Sequence, residues 1–236
     1  MRSILALLAL AFAAPLVARS VPVAHQPPAL QTSETALGGY VLGNPRAKVH
    51  LVEYMSFTCS HCAHFTTESA APLKRDYVMN GQVVYEVRNA VRDPFDLTAS
   101  LLARCGGTRR FFGNMELLLA TQPTWLANSQ KLDTAKLQQA DHATVLKMIG
   151  QGAGLYALMA KRGFTPAQLN QCLNDKGAQA KILAMTQDAW NVRKIPGTPT
   201  FFINDTIADA TTTYDQLEPK LKAVSTASLP KTEVKP

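Results

Sequence analysis

Two cysteines three positions apart, Cys59 and Cys62, are the residues of this 236-residue chain best suited to chemistry. They directly follow an apolar, strand-like run, Val49–Met55, and the residues after them are typical of a helix. A sulfur at the start of that helix meets unpaired backbone N–H groups and the positive end of the helix dipole, and both favour a thiolate. Cys62, one turn further on, is within reach of the first sulfur. The pair can therefore close and reopen a short disulfide by thiolate exchange, and this chemistry needs no bound cofactor.

Other polar residues near the pair are candidates for tuning it. The imidazole of His61 can donate to the sulfur or support its negative charge. His64 lies toward the same end of the helix and is expected to be solvated or to pack there. Glu53 is six residues before Cys59 in an otherwise apolar strand, so it is either exposed at a sheet edge or buried close to the cysteines. Phe57 and Thr58 are candidates for lining a peptide groove.

A Cys-X-X-Cys pair also occurs as half of a zinc site, which needs two further ligands. His61 and His64 are near, but Cys105 and Cys172 lie apart in the sequence without a second pair spacing. Covalent haem would need histidine at position 63, which is alanine. We therefore expect no metal and no cofactor, and keep a non-catalytic holder of Cu(I) or zinc as an alternative.

Composition indicates one globular domain with tails, since 47% of the residues are hydrophobic and 17% are charged. The net charge is +7, but the basic residues are scattered, and no basic cluster is longer than a pair such as Arg109-Arg110. We therefore expect no nucleic-acid partner.

The N-terminus has the pattern of a secretory signal, with Arg2 followed by the apolar run Ile4–Ala14. We predict a signal peptide over residues 1–20, with an uncleaved membrane anchor as the alternative, and a proline-rich linker over residues 21–37. Export would place the chain in an oxidising compartment, and we expect the bacterial periplasm.

The elements that must position the cysteines follow from the hydrophobic pattern. Strand, helix and strand over residues 48–55, 59–77 and 82–89 predict a right-handed crossover unit, with a bend or break at Pro72. A wholly helical segment follows over about residues 93–191, in which Thr165 and Pro166 have the pattern of a helix start. Two strands then follow over residues 200–204 and 206–208, a helix over about residues 214–224, and a polar tail over residues 226–236.

A second motif, Ile195-Pro196-Gly197-Thr198-Pro199-Thr200, directly precedes the strand that starts with Phe201-Phe202-Ile203. Cys-Ser-His-Cys after a strand, the helical segment and Gly-Thr-Pro-Thr-Phe-Phe-Ile together resemble the DsbA-like thiol:disulfide oxidoreductases, a branch of the thioredoxin superfamily. The resemblance covers about residues 38–225. It implies an α/β thioredoxin fold, a central mixed β-sheet flanked by helices, with a large all-helical insert.

The resemblance also implies roles for single residues. Pro199 is expected to be cis beside the redox pair, with the backbone of Thr198 pairing with a substrate peptide. Glu53 matches an acidic position under the active site, which handles protons or sets the thiolate energy. Ser60 departs from the proline common in DsbA, and Thr198 is shared with the isomerase and reductase branches, so the direction of exchange stays open.

Cys105 and Cys172 both lie on apolar faces of predicted insert helices. Some members of the resembled family carry an extra, structural disulfide in the insert, which implies that these two are bonded; two separate free thiols are the alternative. A closed loop of about 66 residues would contribute roughly 4 kcal/mol in the chain-entropy model.

The resemblance thus implies an exported, monomeric enzyme that introduces or exchanges disulfides. Its substrates would be reduced or misoxidised exported proteins, and its electron partner a membrane redox protein or a small-molecule thiol/disulfide pool. A disulfide isomerase or reductase of the same fold is the alternative.

Overall fold

A six-stranded mixed sheet in the order β1-β2-β4-β3-β5-β6 lies at the centre of the structure. The structure is a computed structural model that describes residues 30–227. The strands are β1 (Thr32–Glu34), β2 (Tyr40–Leu42), β3 (Val49–Met55), β4 (Val83–Asn89), β5 (Thr200–Ile203) and β6 (Thr206–Ile207).

Ten helices surround the sheet in the described part of the chain. They are α1 (Ser60–Leu73), α2 (Pro94–Ala103), α3 (Thr108–Ala120), α4 (Gln122–Ser129), α5 (Thr134–Gln139), α6 (His142–Gly152), α7 (Leu155–Lys161), α8 (Pro166–Leu173), α9 (Lys176–Gln187) and α10 (Tyr214–Ala227). Two π-helical turns, Lys74–Val78 and Asp188–Val192, extend α1 and α9.

Strand β3 is central because it pairs in parallel with β4 on one side and antiparallel with β5 on the other. Its side chains alternate between two covered faces. Leu51 and Met55 lie in the larger core, while Val52 and Tyr54 lie in a smaller one on the opposite face. Burial on both faces explains the nearly continuous apolar sequence of the strand. The predicted crossover unit and mixed sheet are confirmed.

Everything from α2 to the second π-helical turn, residues 94–192, is helical or loop, which agrees with the predicted helical insert. Thr165 caps α8 in a capping box with Gln168, and Pro166 is the first helical residue, as predicted. The insert is cross-linked, since Cys105 and Cys172 form a disulfide with their Cα atoms 5.7 Å apart. The pairing that the resemblance implied is therefore present, and it is separate from the Cys59 and Cys62 thiols.

The prediction that Pro72 ends the first segment of the helix was wrong, and the alternative, a bend at Pro72, stays a prediction. Helix α1 runs through Pro72 to Leu73 and continues directly into the π-helical turn. Phe65, Leu73 and Tyr77 of this continuous segment are buried in the larger core. Burying each such side chain contributes roughly 1.5–3 kcal/mol, so together they offset the roughly 3 kcal/mol cost of an interior proline.

The prediction of a linker up to residue 37 was also wrong, because Thr32–Glu34 forms edge strand β1, paired antiparallel with β2. Glu34 bonds Arg104 of the insert at 2.5 Å and Lys181 at 3.0 Å. The strand is mostly exposed and has no apolar alternation, so its position depends on contacts that are distant in sequence. At the other end, α10 extends to Ala227, two residues into the predicted tail.

The predicted signal peptide, the first part of the predicted linker and most of the tail lie outside the described residues. Across residues 30–227, no helix has the length and apolar character needed to cross a bilayer.

Candidate active site

Cys59 is the N-cap of α1, with an extended backbone at φ −89° and ψ 119°. The residue is 5% exposed, and its thiol donates a hydrogen bond to the carbonyl of Thr198, with sulfur and oxygen 3.0 Å apart. Cys62, one turn into the helix, is completely buried. Both cysteines are free thiols, so the structure describes the dithiol form.

The two sulfurs have opposite electrostatic environments. A hydrogen bond from the Cys62 thiol lowers the pKa of Cys59 to about 4, against the effect of burial, with help from the side chain of Thr198 and the backbone N–H groups of Cys62 and His61. Burial, followed by the hydrogen bond to Cys59, raises the pKa of Cys62 well above its ordinary value. At neutral pH the pair is therefore a partly accessible thiolate beside a buried thiol, the arrangement that thiol exchange needs.

Pro199 lies beside this pair, and the Thr198–Pro199 peptide bond is cis, as the resemblance implies. Pro199 is buried and Thr198 is half-buried directly before β5. A cavity of about 250 Å³ borders both residues and continues to Ala210 and Thr211. The cavity adjoins the backbone that the resemblance assigns to substrate pairing, and in that backbone the carbonyl of Thr198 accepts the hydrogen bond from Cys59.

Glu53 is buried rather than at an exposed edge, with 1% of its surface accessible. It lies on the same face of β3 as Leu51 and Met55, and it accepts a hydrogen bond from the Tyr85 hydroxyl, while its second oxygen has no hydrogen-bond partner. Burial raises the pKa of Glu53 to about 8, although the Tyr85 bond lowers it, and the charge of Cys59 adds to the rise. Glu53 in turn raises the pKa of Cys62 through its charge, and a role of its carboxyl group in proton transfer to the buried thiol stays a prediction.

The residues between the cysteines, Ser60 and His61, are both exposed. The part of His61 that acts on Cys59 in this structure is its backbone N–H, and a role for the imidazole stays a prediction. His64 is exposed, and its Nε2 atom lies 2.6 Å from a carboxylate oxygen of Glu68. Phe57 is completely buried, so the prediction that it lines a groove was wrong: the side chain belongs to the core.

Sequence reasoning missed a polar cluster under the segment before Cys59. Asp96 is fully buried and accepts from the backbone N–H groups of Phe57 at 2.8 Å and Arg92 at 3.1 Å. Burial raises the pKa of Asp96 to about 7. Asp93 caps α2 and accepts from the Thr58 hydroxyl at 2.8 Å. The helix start at Asp93-Pro94 is visible in the sequence, but its contact with the cysteine segment is not.

A second missed residue, Gln122, belongs to the insert and bonds the backbone on both sides of Thr58. Its neighbours along the chain give no sign of this contact. Across residues 30–227, no cluster of three or more His, Cys, Asp or Glu side chains is arranged to hold a metal ion.

A proton-transfer role for Glu53 predicts a clear effect of Glu53→Gln, which keeps the shape and can still accept from Tyr85. Because the amide cannot take up or release a proton, we expect exchange at Cys62 to slow by about 10²-fold at neutral pH, measured by stopped-flow reduction with a small dithiol. Glu86→Gln is the matched control: Glu86 is also fully buried, but Val52, its partner in the register, lies in the smaller core on the opposite face.

The same substitution should change the pH dependence of stability. The folded state raises the pKa of Glu53 from 4.5 to about 8, so it favours the protonated carboxyl group. The contribution of Glu53 to the free energy of unfolding is therefore full below pH 4.5 and is lost as the pH rises to 8. In the disulfide form, where the thiols do not titrate, urea unfolding of Glu53→Gln should lack this decline. An unchanged exchange rate together with an unchanged decline would contradict the role of Glu53.

The fold and the paired cysteines define a thioredoxin-fold dithiol protein. A family model described as thioredoxin matches residues 35–223, and the chain therefore belongs to that family. A protein-disulfide isomerase from Novosphingobium aromaticivorans is 35% identical with a TM-score of 0.73, over 78% of this chain and 96% of that one. Alpha-DsbA1 of Wolbachia pipientis shares the fold, with 23% identity, a TM-score of 0.64 and coverage of 80% and 92%.

Among curated proteins, one from Rickettsia felis provisionally named protein-disulfide oxidoreductase is 32% identical over 164 residues. The match covers 70% of this chain and 52% of that protein, so the chain spans about half the length of the curated relatives that it matches. The expected DsbA-like thioredoxin fold with its helical insert is thus confirmed.

Proposed function

We propose that this chain is an exported thiol:disulfide oxidoreductase that introduces or exchanges disulfides in other proteins through Cys59 and Cys62. The observation that supports this most is the asymmetry of the pair. The Cys59 sulfur is at the start of a helix, its thiol form donates to the carbonyl of the residue before a cis-proline, and the completely buried thiol of Cys62 lies one turn away.

In the oxidising direction a substrate thiolate attacks the Cys59 sulfur of the disulfide form. The bond between the two enzyme sulfurs breaks, and a mixed disulfide forms at Cys59. Cys62 leaves and takes up a proton, for which the buried Glu53 is the proposed carrier. A second substrate thiolate then attacks the substrate sulfur of that bond and releases Cys59 as its stable thiolate. The substrate loses two electrons and the enzyme gains them, so an external disulfide or a membrane redox partner must reoxidise the pair.

The backbone of Thr198 is the proposed contact for the substrate peptide, next to Pro199 and the adjoining cavity. The proposed substrates are reduced or misoxidised exported proteins. The proposed location is the periplasm, which fits the signal-like residues 1–20 and the Cys105–Cys172 disulfide, since such bonds persist in oxidising compartments. We further propose that the chain acts as a monomer.

Equilibration of the purified protein with glutathione redox buffers tests this function. Free thiols are trapped by alkylation and counted by mass. We expect the Cys59 and Cys62 pair to be half oxidised at a potential well above the roughly −270 mV of thioredoxin, because a stabilised thiolate favours the dithiol form. A potential as low as that of thioredoxin would indicate a reductase instead.

Disulfide isomerase is a second candidate, favoured by the 35% identical Novosphingobium protein that carries this name. Parallel assays of scrambled and of reduced ribonuclease distinguish the two activities. Faster repair of scrambled ribonuclease than oxidation of the reduced protein would make isomerase the better description.

A further inference from the structure

Gln122 connects the helical insert to the redox segment. It is the first residue of α4, and only 2% of its surface is accessible. Its side-chain nitrogen donates to the carbonyl of Phe57 at 2.7 Å and to the carbonyl of Cys59 at 2.9 Å. One buried amide group thus uses both of its N–H bonds on two carbonyls of the segment that carries the nucleophile.

The orientation of this amide follows from its partners. Both partners are carbonyl oxygens, so the NH₂ group must face them, because the amide oxygen in its place would meet two further acceptors. The Cys59 carbonyl also accepts from the backbone N–H of Ala63 at 3.2 Å, which is the first bond of α1. Gln122 therefore acts on the same carbonyl that begins the helix.

The insert holds the Phe57 residue from two directions, since Asp96 of α2 accepts from its N–H and Gln122 of α4 donates to its carbonyl. Because the carbonyl of Cys59 is also hydrogen-bonded to Gln122, the backbone between Phe57 and Cys59 has little freedom to move. The direction of the Cys59 side chain depends on this backbone, and with it the contact of its sulfur with the N–H groups of His61 and Cys62.

We propose that Gln122 is a positioning residue, which holds the Phe57–Cys59 segment so that the Cys59 sulfur faces the backbone N–H groups at the start of α1. It has a second, electrostatic effect: its two N–H groups offset the negative ends of two carbonyl dipoles close to a developing thiolate. The insert thereby sets the reactivity of the nucleophile, in addition to covering the sheet. This inference rests on the redox function proposed above.

Gln122→Met tests the proposal, because methionine has a similar shape and no donor. The pKa of Cys59 is read from the ultraviolet absorbance of its thiolate in the reduced full-length protein. We expect the pKa to rise by at least about one unit, a tenfold loss in thiolate preference, and the glutathione equilibrium to shift toward the disulfide form by a similar factor.

Gln179→Met is the matched control. Gln179 is also a buried glutamine of the insert and donates to a backbone carbonyl, that of Leu173, at 2.7 Å. Both variants lose the hydrogen bonds of a buried side-chain amide and should lose stability in urea, but only Gln122→Met should move the Cys59 pKa. Gln122→Leu, which is uncharged and also lacks a donor, provides the same readout if the methionine variant does not fold.

The outcomes separate this inference from the proposed function. An ordinary pKa of Cys59 in the unmodified protein would overturn the proposed function itself. The positioning role would be overturned, and the function left standing, if the low pKa of Cys59 is unchanged in both Gln122 variants. The same holds if Gln179→Met shifts the pKa of Cys59 as much as Gln122→Met does.

Discussion

Cys62→Ala is expected to trap substrate proteins on the enzyme, while Cys59→Ala abolishes exchange altogether. Cys59 holds the partly accessible, stabilised sulfur, whereas Cys62 is fully buried and cannot be reached by a protein substrate. Without Cys62, a mixed disulfide formed at Cys59 has no neighbouring thiol to release it. Without Cys59, no accessible sulfur of the pair remains.

The measurement is non-reducing electrophoresis with mass spectrometry after mixing each variant with a substrate bearing an activated disulfide. Cys62→Ala should give a stable covalent complex and Cys59→Ala none, with oxidation of reduced ribonuclease lost in both. The Cys105–Cys172 disulfide serves as an internal control, since it should stay intact in both variants. A covalent complex formed at Cys62 or Cys172 would show that the attacking sulfur has been assigned wrongly.

The dithiol form is expected to be more stable than the disulfide form at neutral pH, the reverse of the usual effect of a disulfide. The folded state lowers the pKa of Cys59 from 9.0 to about 4, so folding favours its thiolate. A group whose pKa is lowered by folding contributes fully to the free energy of unfolding when the pH is above its unfolded-state pKa. The contribution shrinks as the pH falls and is lost at the folded-state pKa. The closed disulfide has no thiolate and lacks this stabilisation, and its loop is too short to constrain the unfolded chain much.

Urea unfolding of the two forms at several pH values measures this difference. We expect the free energy of unfolding of the dithiol form to exceed that of the disulfide form by on the order of 2 kcal/mol at pH 7, and the difference to vanish near pH 4. The figure is reduced because solvent near the sulfur screens its charge. The raised pKa of Glu53 acts in the opposite sense, but it is present in both forms and largely cancels in the comparison. A disulfide form that is equally stable or more stable at pH 7 would contradict the stabilised thiolate.

Local sequence determined much of this protein. The Cys-X-X-Cys pair after an apolar strand predicted the redox pair at the start of a helix, since the preceding strand and the helix start are short-range features. The periodicities predicted the crossover unit and the helical insert. The capping box at Thr165 was likewise readable, because its partners are three residues apart.

Only the tertiary structure decided which polar side chains contact the nucleophile. Asp96 and Gln122 lie 39 and 65 residues from Phe57 in sequence, and no pattern around them indicates that they bond its backbone. Glu53 was visible as an anomaly, but its burial and its bond to Tyr85 depend on β3 and β4 pairing in one register. Periodicity in the sequence indicates which face of a helix or strand is apolar, whereas contacts between elements are fixed by how those faces pack. Local sequence therefore determined the reactive cysteine pair, and the tertiary structure determined the polar groups around it.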